Sequence, residues 1–271
     1  RSAGMRQFSS KDISASNAKE NLWQQDSQGN WKIDPEKDSL RMANHTRVYH
    51  TRPTFQEIKE AVNKQFNSGE GAIQFAPEAI ARSNADLLNT EELKKEFIDI
   101  YCDQGKEEAA RWIKENYGSI DDIELSHRLS RYGLNPCGEI LGADFHCNLA
   151  EIHLNQIDPT DEIAQEDAFK AAALSVACLL NHRFEVERYR QSRNFDPIVG
   201  VSFTGLFDFF LHAFGTPWLK WWEQGRPDND QAKDFKEKEA AYLKKWKEIV
   251  NETVWDYCDR HGLRRPNRCT T

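Results

Sequence analysis

The sequence has no apolar run approaching the roughly 20 residues that cross a bilayer, and no positively charged leader followed by an apolar region. It has no excess of positive charge: 36 Lys and Arg stand against 44 Asp and Glu, a net charge of -8. An acidic surface is not attracted to nucleic acid or to a membrane, which argues against a general binder of either and leaves room only for a local basic pocket. There is no paired CxxC or HxxxH spacing, so a zinc site built on His146, Cys147 and His153 has little to support it. Six cysteines scattered over this length without a leader do not make a disulfide framework. No internal repeat or low-complexity tract is visible. The expectation is a soluble, cytoplasmic protein with reduced thiols, no nucleic-acid partner and no membrane partner.

What is present is enough for a sizeable core: 271 residues, 39% of them hydrophobic, with eight tryptophans. The first fifty residues are polar, with "DSQGNW" reading as a turn and only short elements expected. "GAIQFAPEAI" reads as a strand with a loop after it. Leu93, Phe97, Ile100 and Tyr101 share a helical face, and Glu91 and Glu92 suit its first turn. "NLAEIHL" alternates with the period of a strand, residues 161–190 read as a largely buried helix, and "PIVGVSF" as a β-branched strand running into a helix closed by Gly215. A last helix is spaced by Phe235, Tyr242, Trp246, Ile249, Val250, Val254, Tyr257 and Cys258. Cys102, Cys178 and Cys258 fall in these helical patterns as core thiols. Strands alternating with helices predict an α/β architecture with largely parallel strands.

The segment "LNPCGEILGADFHCNLAEI", residues 134–152, does not read as core. In extended or loop backbone, residues two apart project the same way, so Asn135, Cys137 and Glu139 can converge on one target. Pro136 restrains Asn135 to extended geometry, and Gly138 lets a ligand approach the backbone. An ordinary nucleophilic cysteine needs a base and a means of holding thiolate, whereas Glu139 beside it raises the thiol's pKa. A one-electron role suits the neighbourhood better: a neutral thiol gives up a hydrogen atom, and a carboxylate takes the proton of a substrate hydroxyl.

"NPCGEI" followed by "CNLAEI" resembles the finger loop of ribonucleotide reductases. With "MANHTRVYH" upstream and "GVSFTGLFDFF" downstream, the chain is most similar to the monomeric, adenosylcobalamin-dependent ribonucleoside-triphosphate reductases. The resemblance implies a segment of a ten-stranded α/β barrel, with a central finger loop near residues 134–148. It implies radical reduction of ribonucleotides to deoxyribonucleotides, with Cys137 as the thiyl site, Glu139 as base at the 3′-hydroxyl and Asn135 bonded to the ribose. Cys147 would be half of the redox pair, and Ser2 and Gly138 would lie at the substrate. The implied cofactor is adenosylcobalamin. The implied partners are a ribonucleoside triphosphate, a deoxynucleotide effector and a thioredoxin-like reductant.

Both ends look cut: the chain opens on "RSAGMRQ" and stops at "RPNRCTT". In the family the partner of Cys147 lies further upstream, and a phosphate loop and a C-terminal cysteine pair lie further downstream. The expectation is therefore one partial catalytic barrel over residues 1–271, inactive without the flanking parts of the same enzyme. A non-catalytic barrel remnant or interaction module is the alternative. A glycyl-radical relative is a third, without its glycine-centred signature here. "DFHCNL" imitates the DxHxxG signature of other cobalamin proteins, with Leu149 in place of the glycine. "WLKWWEQGRP" suits either a base-stacking surface or packing beneath a loop.

Overall fold

The computed structural model describes residues 4–68, 72–135, 140–146, 148–266 and 269–270. The chain divides into two compact units, Arg1–Ala143 and Asp144–Thr271.

In the first unit β1 (Gly4–Ser9) leads into the short α1 (Ile13–Asn17). A small antiparallel hairpin follows, β2 (Trp23–Gln25) and β3 (Trp31–Ile33). Its turn is the one read from "DSQGNW": Asp26 Oδ1 accepts from the backbone N–H of Gln28 and of Asn30, both at 2.9 Å. Next come β4 (Ala43–Tyr49), α2 (Phe55–Ser68) and β5 (Ala72–Phe75). β1, β4 and β5 form a three-stranded sheet in the order β1-β4-β5, with every pairing parallel. α2 begins on a reciprocal cap in which Thr54 N–H donates to Glu57 Oε2 at 2.7 Å and Glu57 N–H to Thr54 Oγ1 at 3.2 Å.

The segment after "GAIQF" is a helix rather than the expected loop. α3 (Ala76–Ser83) starts directly from β5 with Pro77 in its first turn, where a proline's missing N–H costs nothing. α4 (Glu91–Gln104), α5 (Lys106–Asn116) and α6 (Asp122–Arg128) complete the helical part, with β6 (Gly133–Leu134) and β7 (Leu141–Gly142) after it. Phe97 and Tyr101 of the predicted face are buried with Ile80, Leu88 and Ile113 in one core.

Beside that core lies a buried polar network. Arg128 donates to Asp86 through Nη1 at 3.1 Å and Nη2 at 2.9 Å, and through Nε to Glu124 at 3.0 Å. Asn84 is fully buried; its Oδ1 accepts from Arg128 Nη1 at 3.1 Å and from Arg131 Nη1 at 3.2 Å. Burial pushes the Asp86 carboxyl up, but the hydrogen bonds and charge of Arg128, with the charge of Arg131, outweigh it and hold the group below its ordinary value. A carboxyl depressed in the fold stabilises fully above its unfolded pKa of about 3.9, and that contribution is lost as pH falls through the folded value. The expected result is that the gap in melting temperature between wild type and Asp86→Asn narrows as pH drops from 6 to 3. A gap constant over that range would contradict it.

In the second unit β8 (Asn148–His153) is followed by α7 (Glu162–Leu180), α8 (Glu187–Phe195) and β9 (Val199–Thr204). α9 (Leu206–Phe214), α10 (Thr216–Glu223), α11 (Asp230–Arg260) and β10 (Cys269–Thr270) complete it. The sheet order is β10-β9-β8, again with every pairing parallel. The strand read from "NLAEIHL" is β8, with Ile152 buried and Glu151 and His153 exposed. α11 carries the predicted stripe, and Trp246, Val250, Val254 and Cys258 are at most 1% exposed. α7 is less buried than its composition suggests: Phe169, Ala173, Val176 and Ala177 face the core, whereas Leu174, Leu179 and Cys178 are exposed. Cys178 is thus not a core thiol, because it sits one helical step off the face that meets the sheet.

A ten-stranded barrel is not among the described elements, which give two three-stranded and two two-stranded sheets. Among the described residues no helix is long and apolar enough to cross a membrane.

Candidate active site

Asn135 is at the tip of a short hairpin. β6 and β7 pair antiparallel, Gly133 with Gly142 and Leu134 with Leu141, and Asn135 N–H donates to Ile140 O at 3.4 Å one step further out. The Asn135 side chain reinforces that closure, its Oδ1 accepting from Ile140 N–H at 3.1 Å. Pro136, Cys137, Gly138 and Glu139 lie outside the described residues, as do Cys147 and Ser2. Of the six proposed site residues only Asn135 is therefore placed, and it is placed on its own turn.

The stem is fixed from below by two glutamines that the sequence reading did not single out. Gln7 on β1 and Gln74 on β5 both donate through Nε2 to Tyr132 O, at 2.9 and 2.7 Å. Gln7 Nε2 also reaches Gln74 Oε1 at 2.5 Å, and Gln7 Oε1 accepts from Leu134 N–H at 3.4 Å. The strand register makes this possible: Gln7 pairs with Thr46 and Gln74 with Val48, so the two side chains share a sheet face across β4. The visible signal was Gln74 itself, a polar residue inside "AIQF" that is buried in the fold.

Two further ties hold the base. His127 sits between Arg131 Nε, 3.4 Å from its Nδ1, and Ala143 O, 3.3 Å from its Nε2. A neutral ring with its proton on Nε2 satisfies both, accepting from Arg131 and donating to the carbonyl. His50 packs edge-on against Tyr132 with centroids 5.2 Å apart and lies 3.3 Å from Tyr101 Oη through Nδ1. Burial pushes the Tyr101 hydroxyl up to about 12, so it keeps its proton and donates. Burial, with a smaller contribution from Lys106, lowers the His50 pKa, which keeps that ring neutral as acceptor.

Gly133 is needed for close approach rather than for a special dihedral. A Cβ there would stand 2.6 Å from Gly142 O, a backbone atom across the ladder. Gly133→Ala is expected to open the stem and destabilise the first unit by about 1–3 kcal/mol. Hydrogen exchange at Leu134 and Ile140 checks it: protection unchanged in the variant would contradict the assignment.

The remaining candidates resolve as packing. His146 lies against Phe184, centroids 4.5 Å apart, and near Tyr189. In "WLKWWEQGRP", Trp218 and Trp221 are buried, Trp218 Nε1 donates to Glu239 Oε1 at 2.8 Å, and Arg226 caps the cluster over Trp221 and Trp222 while paired with Glu239 at 2.6 Å. Among the described residues no group of three His, Cys, Asp or Glu side chains is placed to hold a metal ion. A cavity of 550 Å³ is lined by charged groups at the start of α11 and just before it, among them Asp228, Asp230, Lys233 and Lys236. Comparison with family models, with curated proteins and with solved structures returns no match for this chain.

Proposed function

We propose that this chain carries the thiyl-radical loop of a ribonucleotide reductase acting on ribonucleoside triphosphates. The observation that supports the reading best is the braced hairpin: "NPCGEI" begins at the closing pair of a stem whose base carbonyl is held by Gln7 and Gln74. A reaction that moves a hydrogen atom between a sulfur and one substrate carbon demands positional precision, which short, doubly anchored loops supply.

In this proposal the Cys137 thiyl radical takes the hydrogen atom from C3′ of the ribose, and Glu139 takes the 3′-hydroxyl proton. The 2′-hydroxyl then leaves as water. Cys147 and a second thiol supply two electrons and two protons as they join in a disulfide, and Cys137 returns the hydrogen atom to C3′. The sum is ribonucleotide plus dithiol to deoxyribonucleotide, disulfide and water. Gly138 leaves room for the sugar, Asn135 bonds the ribose, and Ser2 lies at the substrate. Adenosylcobalamin, a deoxynucleotide effector, a thioredoxin-like reductant and the barrel segment all belong to this proposal through the resemblance in "NPCGEI" and "CNLAEI".

The test is deoxyribonucleotide formation from each ribonucleoside triphosphate with adenosylcobalamin and a dithiol, on this chain and on the longest reading frame containing it. Product that appears in neither preparation would sink the proposal.

A further inference from the structure

At the carboxyl ends of β1 and β4 the first unit encloses a cavity of 210 Å³, lined by residues of α1 and α2 as well as by Ser10 and Tyr49. This is the edge of a parallel sheet where α/β folds take ligands. Arg47 lines it and is only 6% exposed. Its Nη2 donates to Ser16 Oγ at 2.8 Å, its guanidinium lies 5.7 Å over the Phe8 ring, and its Nη1 is buried with no hydrogen-bond partner.

The contrast within the same unit is informative. Buried Arg128 has two carboxylates, Asp86 and Glu124, whereas among the described residues no carboxylate pairs with Arg47. A buried guanidinium donor left without an acceptor is destabilising, and an acceptor from outside the chain would relieve that cost. Two carboxylates share the cavity wall and keep their charge, but their hydrogen bonds run to neutral groups and not to Arg47: Glu57 Oε2 accepts from Thr54 at 2.7 and 2.8 Å, and Glu60 Oε1 from Gln56 at 2.8 Å. Lys64 is ion-paired with Glu20 at 3.1 Å and bonded to Asn17 at 2.5 Å, whereas Arg47 keeps the vacant donor.

We infer that this cavity binds a phosphate-sized oxyanion, with the Arg47 fork as its principal donor and Ser16 beside it. A guanidinium presents parallel N–H groups that match two oxygens of one anion. The volume falls below the ~300–1,000 Å³ of pockets that enclose whole organic ligands, so it takes a phosphate group and a short stem rather than a nucleotide. The inference does not rest on the hairpin chemistry.

The test is thermal unfolding of the 271-residue chain in chloride buffer of fixed ionic strength, titrated with inorganic phosphate, ribose 5-phosphate or ATP. A saturable rise in midpoint is expected, roughly 5–10 °C at a hundred times Kd. Arg47→Met should remove the rise and melt no lower than wild type without ligand, since it replaces a buried unpaired charge with an apolar side chain of similar length. Ser16→Ala, which leaves the charge in place, should weaken binding about fivefold, and it carries the test if Arg47→Met does not fold. A larger rise with inorganic phosphate assigns the site to the free ion, with ribose 5-phosphate to a phosphate ester, and with ATP alone to the phosphate end of a nucleotide. No saturable rise with any of the three, or a rise that survives in Arg47→Met, overturns the proposal.

Discussion

Cys137→Ser is expected to bring deoxyribonucleotide formation to background, a fall of at least ~10⁴-fold or about 5.4 kcal/mol in barrier. Serine differs from cysteine by one atom and fits the same loop, so the change tests chemistry rather than folding. The S–H bond is weak enough to exchange a hydrogen atom with a carbon bearing a hydroxyl, and the O–H bond is not. Glu139→Gln should be milder, about 10²–10⁴-fold, because it removes only the proton acceptor. Cys147→Ser should also abolish deoxyribonucleotide formation, since the radical step survives while the two electrons that reduce C2′ are lost. Melting curves of all three variants should overlay the wild type. Turnover retained in Cys137→Ser would eliminate the thiyl reading, and equal losses accompanied by unfolding would leave the loop with a structural role only.

Trp246→Ala should produce the largest loss of stability in the second unit. The Trp246 ring stacks on Phe169 with centroids 5.0 Å apart and 14° between planes, and meets Phe209 and Phe203 edge-on at 5.3 and 5.7 Å. It thereby joins α11 to α7, α9 and β9 at a point 1% exposed. Its Nε1 also donates to buried Gln165 Oε1 at 3.2 Å, which truncation would leave unpaired. Removing a buried tryptophan costs about 3–5 kcal/mol, which for a unit of this size lowers the melting temperature by roughly 10–20 °C. Trp222→Ala, at a side chain 40% exposed, should cost far less. Equal effects from the two substitutions would mean that the core has been placed wrongly.

Local pattern settled much of the secondary structure. The alternation of Ala150, Ile152 and Leu154, the three- and four-residue steps from Phe235 to Cys258, and the turn at "DSQGNW" were readable because the forces that set them act within a few residues. The proposed chemistry of "NPCGEI" is likewise argued from neighbours in the chain, Asn135, Cys137 and Glu139, and of these only Asn135 lies among the described residues. Local pattern failed where a partner far along the chain decides the outcome. Cys178 and Cys258 look alike in sequence, yet one is exposed and the other fully buried, because burial depends on which helical face meets the sheet. The brace under the hairpin joins Gln7 to a carbonyl 125 residues away, through two strands whose parallel register brings both glutamines to one face. Nothing in the local sequence sets Arg47 apart. Only the packing of α1 and α2 over the ends of β1 and β4 buries its guanidinium and leaves a donor without a partner, since desolvation is a property of the assembled fold and not of any local segment.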